Sequence, residues 1–150
     1  MASRNQVFRV LDANANRSLE GLRVCEDLVR FCLGWASHVR RLRALRHAIA
    51  TQVRRLPLKP VDLVLFRDSR HDLGRRFHVS RVRSLEHLLL INLQRTKEAL
   101  RVLEETSRLI APRHTGAFQR LRFQTYDVER ALLLHVAAVR HRRQIRRLRS

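Results

Sequence analysis

Turn-forming residues are scarce in this chain: its 150 residues include four glycines and three prolines. So few breakers argue against folds of many short strands and tight turns, and favour long helices with short connections. Aromatic residues make up only 5%, and no RNA-binding aromatic motif appears. The two cysteines, Cys25 and Cys32, are seven residues apart on one helix. At that spacing they cannot bridge to each other, and both are read as small buried hydrophobes in a reducing compartment. No secretory apolar region follows Met1, and no apolar run nears the roughly 20 residues of a membrane span. The expectation is therefore a soluble cytoplasmic protein with no membrane partner. There is no Walker A loop, no G-x-G-x-x-G after a strand and no G-x-S-x-G. The eight histidines form no cluster with zinc spacing, and His47 is read as a partly buried structural histidine. Lysine is nearly missing too, with only Lys59 and Lys97, so arginine carries the net charge of +19. Such a field attracts nucleic acid, nucleotides, phosphorylated metabolites or an acidic membrane surface, and does not choose among them.

The chain does hold long amphipathic runs. LDANANRSLEGLRVCEDLVRF, from Leu11 to Phe31, reads as one helix with Leu11, Ala15, Ser18, Leu22, Cys25 and Val29 on its apolar side. Asn16, Glu20, Arg23 and Asp27 form a polar stripe opposite. The segment recurs 78 residues later: seven of fourteen positions are identical between Asn14–Asp27 and Asn92–Glu105. The shared pattern is N-x-[NQ]-R-x-x-E-[GA]-L-R-V-x-E-[DE]. An internal repeat of this kind constrains architecture. Charges on a helix face are ordinarily solvated pairs of small energy. A repeated order of amide, carboxylate and guanidinium favours stripes that line a shared cleft or a subunit interface. Gly21 and Ala99 mark a tolerated small position or a close approach by another helix or a ligand.

The first helix is expected from about Gln6 to Leu33, with Gly34 as its stop. Ser37 is expected to cap the second, which Pro57 and Pro60 end. Ser84 is expected to cap the third, and the fourth runs from about Thr115 beyond Val139. Between the hairpins lies a long loop, about 58–83, with a β-like run VDLVLF and the segment FRDSRHDLGRR. Arg67, Asp68, Asp72 and Gly74 sit in that segment, where paired aspartates beside arginines suit Mg²⁺ and phosphate oxygens. The expected fold is all-α: a four-helix bundle of two pseudo-repeated hairpins, with one domain over 1–140 and a basic C-terminal tail over 141–150.

LDANANRSLEGLRVCEDLVRF, then LRALRH, then RDSRHDLG, then NLQRTKEALRVLEE together resemble the small all-helical hydroxymethylpyrimidine phosphate kinases of thiamine biosynthesis. These are the non-ribokinase type, often fused in front of thiamine-phosphate synthase. The resemblance runs from about Val10 to Tyr126. The sequence departs from the pattern in three respects: no synthase barrel follows, Arg75 stands after Gly74 in place of a small hydroxyl residue, and the arginine-rich tail is not a family feature.

The resemblance implies a phosphomethylpyrimidine kinase, an ATP- and Mg²⁺-dependent enzyme that forms the pyrimidine diphosphate. It implies a catalytic set of Arg17, Glu20, Arg23, Arg95, Glu98 and Arg101. Asn14, Asn16, Asn92, Arg67 and Gly74 would bind substrate, and Asp68 and Asp72 would hold the metal. It also implies a functional link to thiamine-phosphate synthase. A site within one chain and a site shared in a homodimer both remain open. The alternative function is a non-catalytic basic helical module that binds nucleic acid or a thiamine-pathway enzyme. The missing aromatic platform counts against nucleic acid.

Overall fold

The computed structural model describes residues 3–76 and 81–148, without the side chains of 75, 76 and 148. Among these residues the regular structure is entirely helical. Helix α1 spans Arg4–Leu28 and opens on Ser3, whose hydroxyl accepts from the Gln6 amide while the Gln6 side chain accepts from the Ser3 amide. This reciprocal cap satisfies two donors that a helix start leaves free. Helix α1 continues into a π turn, Val29–Leu33, which Gly34 ends in the left-handed region at φ 69°. Helix α2 spans Ala36–Arg54, α4 spans Leu85–Ile110 and α5 spans Thr115–Leu148. Ser84 caps α4, its hydroxyl accepting from the His87 amide at 3.0 Å.

Four local expectations change. Trp35, not Ser37, stands at the start of α2, and no side chain bonds to the cap. VDLVLF is not extended: Pro60–Leu65 forms a short helix, α3. Pro60 brings a preset φ to its first turn, and Asp62 Oδ2 accepts from the Lys59 amide at 3.1 Å; together these outweigh the β-branched composition. Cys32 is exposed, because the wider π turn carries it off the face that buries Cys25. His47 is exposed as well, and the buried histidine of α2 is His38. Residues 77–80 of the long loop lie outside the described residues.

The core follows the helical spacing. Leu11, Leu22, Val29, Leu42, Ile49, Leu93, Leu100, Leu103, Phe118 and Leu132 are fully buried. Burial pushes the Cys25 thiol up to about 12, with the Glu129 carboxylate adding to the shift, so it stays an inert thiol. Helix α1 packs on α2 and α4, and α5 packs on α4 and α2, closing a four-helix bundle to which α3 adds a small cover over α1. Helices α1 and α4 run antiparallel: Ser18 meets Thr96, and Cys25 meets Leu89.

The repeat is visible in this packing. Ser18 and Thr96 are equivalent positions, and the Thr96 hydroxyl donates to the Ser18 carbonyl at 3.3 Å, which puts the pseudo-twofold axis at that contact. Glu26 and Glu104 are also equivalent, and both are buried. Arg46 of α2 donates to Glu26 at 2.9 Å, and Arg122 of α5 donates to Glu104 at 2.8 Å. Each copy of the leader helix is thus clamped to the second helix of its own hairpin by one charge-assisted bond.

Candidate functional site

On each leader helix, one face packs into the core and the shoulder beside it lines a cleft of about 630 Å³ between α1 and α4. The lining from α1 is Asn14, Arg17, Glu20, Gly21 and Val24; the lining from α4 is Asn92, Arg95, Glu98, Ala99 and Val102. Every residue of the first set has its repeat equivalent in the second. At about 100° per residue, this shoulder lies roughly 90° around the helix from the polar stripe read in the sequence. Glu20 belongs to both faces.

Gly21 sets the floor of the cleft. A Cβ there would lie 2.6 Å from Thr96 Oγ1 and 2.8 Å from the Asn92 carbonyl oxygen. The close approach is therefore by another helix. Asn14 and Asn92 are buried at the rim of this crossing, and each amide donates to the carbonyl four residues back, Val10 at 2.8 Å and Leu88 at 2.9 Å. That bond fixes both side chains in the same pose while the remaining amide atoms border the cleft. Arg17 and Arg95 are exposed and form no ion pair among the described residues. Glu98 accepts from Gln94 at 2.8 Å.

The cleft opens beside Asn14, Arg17 and Glu20 into a second lobe, which Asn16, Arg9, Arg67, Asp68 and Asp72 help to line. One contact shapes this lobe: Arg67 Nε and Nη2 donate to Asp12 Oδ2 and Oδ1 at 2.7 and 2.6 Å. The fork-on-carboxylate geometry ties the end of α3 to α1, supported by Phe66 against Phe8. The bond to Asp12 holds the Arg67 guanidinium above its ordinary pKa. Asp12 also accepts from Asn16 at 3.3 Å. Asp68 accepts from the His71 ring at 2.9 Å, which holds its carboxyl below the usual range. Asp72 accepts from the Gly74 amide at 2.8 Å.

Of the residues singled out in the sequence, Asn14, Arg17, Glu20, Asn92, Arg95 and Glu98 meet in the cleft, and Asn16, Arg67, Asp68 and Asp72 meet in the adjoining lobe. Three lie outside this lining. Arg23 is engaged by Asp27 at 3.1 Å, and Arg101 by Glu104 and Glu105 at 2.9 and 2.8 Å. Gly74 sits exposed at the start of a 3₁₀ turn. Asp12 did not stand out in the sequence, since it lies between apolar positions and its partner is 55 residues away. Among the described residues, no group of three or more His, Cys, Asp or Glu side chains is arranged to hold a metal ion alone, and no helix is long and apolar enough to cross a membrane.

No solved structure matches the chain. Several known proteins do. The thiamine-phosphate synthase of Synechocystis is 37% identical over 135 residues, covering 88% of this chain and 38% of that protein. That of Rhodopirellula baltica is 34% identical over 144 residues, covering 94% and 38%. That of Nostoc punctiforme is 35% identical over 132 residues, covering 86% and 36%. The chain thus spans little more than a third of the length of these relatives. Their name corrects one expectation: thiamine-phosphate synthase is a different enzyme from phosphomethylpyrimidine kinase, so the kinase assignment drawn from the resemblance does not stand. The association with thiamine biosynthesis does stand. Residues 9–131, which hold both copies of the repeat and the loop between them, match the ThiD2 family, and the chain belongs to that family.

Proposed function

We propose that the cleft between the two leader helices binds a phosphorylated pyrimidine in the service of thiamine-phosphate synthesis. The observation that carries this reading is the lining itself. Two guanidiniums without ion-pair partners among the described residues, two carboxylates and two pre-set amides converge on one concavity built from equivalent positions. Guanidinium suits phosphate oxygens, carboxylate accepts from an exocyclic amine, and an amide can pair with both a ring nitrogen and its neighbour. Val24 and Val102 add apolar surface for the ring. A cleft of this volume, with a few convergent polar groups, is of the usual size for a small-molecule site.

ATP and Mg²⁺ are assigned to the adjoining lobe. In a chain of net charge +19, this lobe is lined by four carboxylates and three guanidiniums, a balance that suits an anion arriving with a cation. Asp68 and Asp72 are hard oxygen donors of the kind Mg²⁺ takes one or two of, the rest coming from phosphate and water. The ion would neutralise phosphate charge there. Arg9 and Arg17 would orient the phosphates, and the Arg67–Asp12 bridge would hold the lobe in shape.

The test is a pair of thermal-shift titrations, with 4-amino-5-hydroxymethyl-2-methylpyrimidine phosphate and with duplex DNA, each at two salt concentrations, with and without Mg·ATP. The reading expects stabilisation by the pyrimidine phosphate that survives higher salt. Stabilisation by DNA alone, falling steeply with salt as counterion release requires, would favour a basic nucleic-acid module instead.

A further inference from the structure

The two halves of the cleft repeat one another residue for residue. Each half offers one guanidinium, one carboxylate and one back-bonded amide: Arg17, Glu20 and Asn14 on α1, and Arg95, Glu98 and Asn92 on α4. The closely packed floor at Gly21 and Thr96 lies between them, next to the pseudo-twofold contact. The next arginines along each helix, Arg23 and Arg101, are also equivalent but are engaged by carboxylates of their own helix. In each copy, the arginine facing the cleft is therefore the one left without a carboxylate partner among the described residues.

We propose that the cleft holds two phosphate groups, one against Arg17 and one against Arg95, in separate half-sites related by the pseudo-twofold axis. This rests on the reading of the cleft as a phosphate-ligand site and specifies its capacity. A phosphate group is small and nearly isotropic, so two half-sites with the same guanidinium in the same local setting accept it alike. An exposed arginine already neutralised by a neighbour attracts it much less. The two groups come from two ligands or from the two ends of one diphosphate; the chemistry recognised is the same.

Backbone amide shifts of the ¹⁵N-labelled full chain, titrated with inorganic phosphate at low ionic strength, test this directly. Two sets of saturable shifts are expected, one within residues 14–24 and one within 92–102. Arg17→Ala should remove the first set and keep the second, Arg95→Ala should do the reverse, and Arg23→Ala should keep both. Both arginines are exposed and have no ion-pair partner among the described residues, so these variants should retain the fold. Loss of both sets in either single variant means one shared site and overturns the proposal. So do shifts confined to the arginine-rich end of α5, and so does survival of both sets in both variants. In a parallel titration with pyrophosphate, one equivalent saturating both sets identifies a spanning diphosphate, and two equivalents identify independent ligands. Pyrophosphate that moves neither set overturns the proposal. If inorganic phosphate fills both half-sites but the pyrimidine phosphate does not bind, only the assigned ligand fails. If the pyrimidine phosphate binds while inorganic phosphate gives a single set, only the half-site proposal fails.

Discussion

The two leader helices share a sequence pattern, a clamp and a face, yet among the described residues only one of them carries an extra wall. Glu26 with Arg46 and Glu104 with Arg122 fasten the two hairpins in the same way. Asn14 and Asn92 fold back on their helices in the same way. The difference is at Asp12, whose equivalent on α4 is Leu90. Asp12 binds Arg67 and so draws α3 and its following loop onto α1. One duplicated scaffold thus supplies a symmetric cleft, and a single added carboxylate makes one end of it different. What is common to the copies belongs to the scaffold and the shared cleft. On the proposed reading of the cleft, what differs between them would discriminate between ligands.

The largest effect that separates the copies is expected at their small residues. Gly21→Ala gains helix propensity but forces a methyl against Thr96 and the Asn92 carbonyl. Overpacking of this kind costs about 1–3 kcal/mol, with the α1–α4 crossing pushed apart. Ala99→Gly should cost about 1 kcal/mol through propensity. Urea denaturation measures both. A stabilised Gly21→Ala protein would show that the crossing is looser than described.

Next comes the added wall. Asp12→Ala should cost about 1 kcal/mol of global stability, because Arg67 stays half-exposed and the bridge is screened by solvent. Its local effect should be greater: amide exchange across α3 and residues 67–74 should rise well above that of α4. Leu90→Ala, at the equivalent position, should leave that segment unchanged. Equal exchange in the two variants would break the proposed asymmetry.

A smaller effect lies where α2 meets α5. The His38 ring nitrogen Nε2 is 2.9 Å from His135 Nδ1, and His135 stacks on Trp35 at 3.9 Å. Burial, followed by the charges of His135 and Arg41, lowers the His38 pKa below its ordinary 6.5. The unfolded chain then binds the proton more readily than the folded one. Stability should be full above about pH 6.5 and decline as pH falls below that value toward the depressed folded pKa. Thermal melts from pH 8 to 5 should show the decline in wild type and a smaller one in His38→Phe. An identical pH dependence in the two proteins would remove His38 as its source.

The helices, the Gly34 stop, the Ser84 cap and the apolar spacing were legible because they are local: each depends on residues within about four positions of one another. The repeat made the pairing of α1 with α4 legible as well. Which polar residues face the cleft was only partly legible. Periodicity locates the apolar side, but the angle of the second helix decides which shoulder is covered. Arg17 and Arg95 were therefore picked out together with Arg23 and Arg101, which the crossing leaves outside. The bridge from Asp12 to Arg67 carried no local signal, since it joins residues far apart in the chain. Helix α3 was misread because a β-branched run outweighed the quieter signal of Pro60 at a first helical turn.

The central claim is that the cleft, and not the overall positive field, recognises the ligand. Calorimetric titration with the pyrimidine phosphate should compare Arg17→Ala/Arg95→Ala with Arg23→Ala/Arg101→Ala, two double variants with the same change in net charge. The cleft variant should lose about 100-fold in affinity, roughly 2.7 kcal/mol, while the other stays within about threefold of wild type. Equal losses in the two, or wild-type affinity in the cleft variant, would contradict the account.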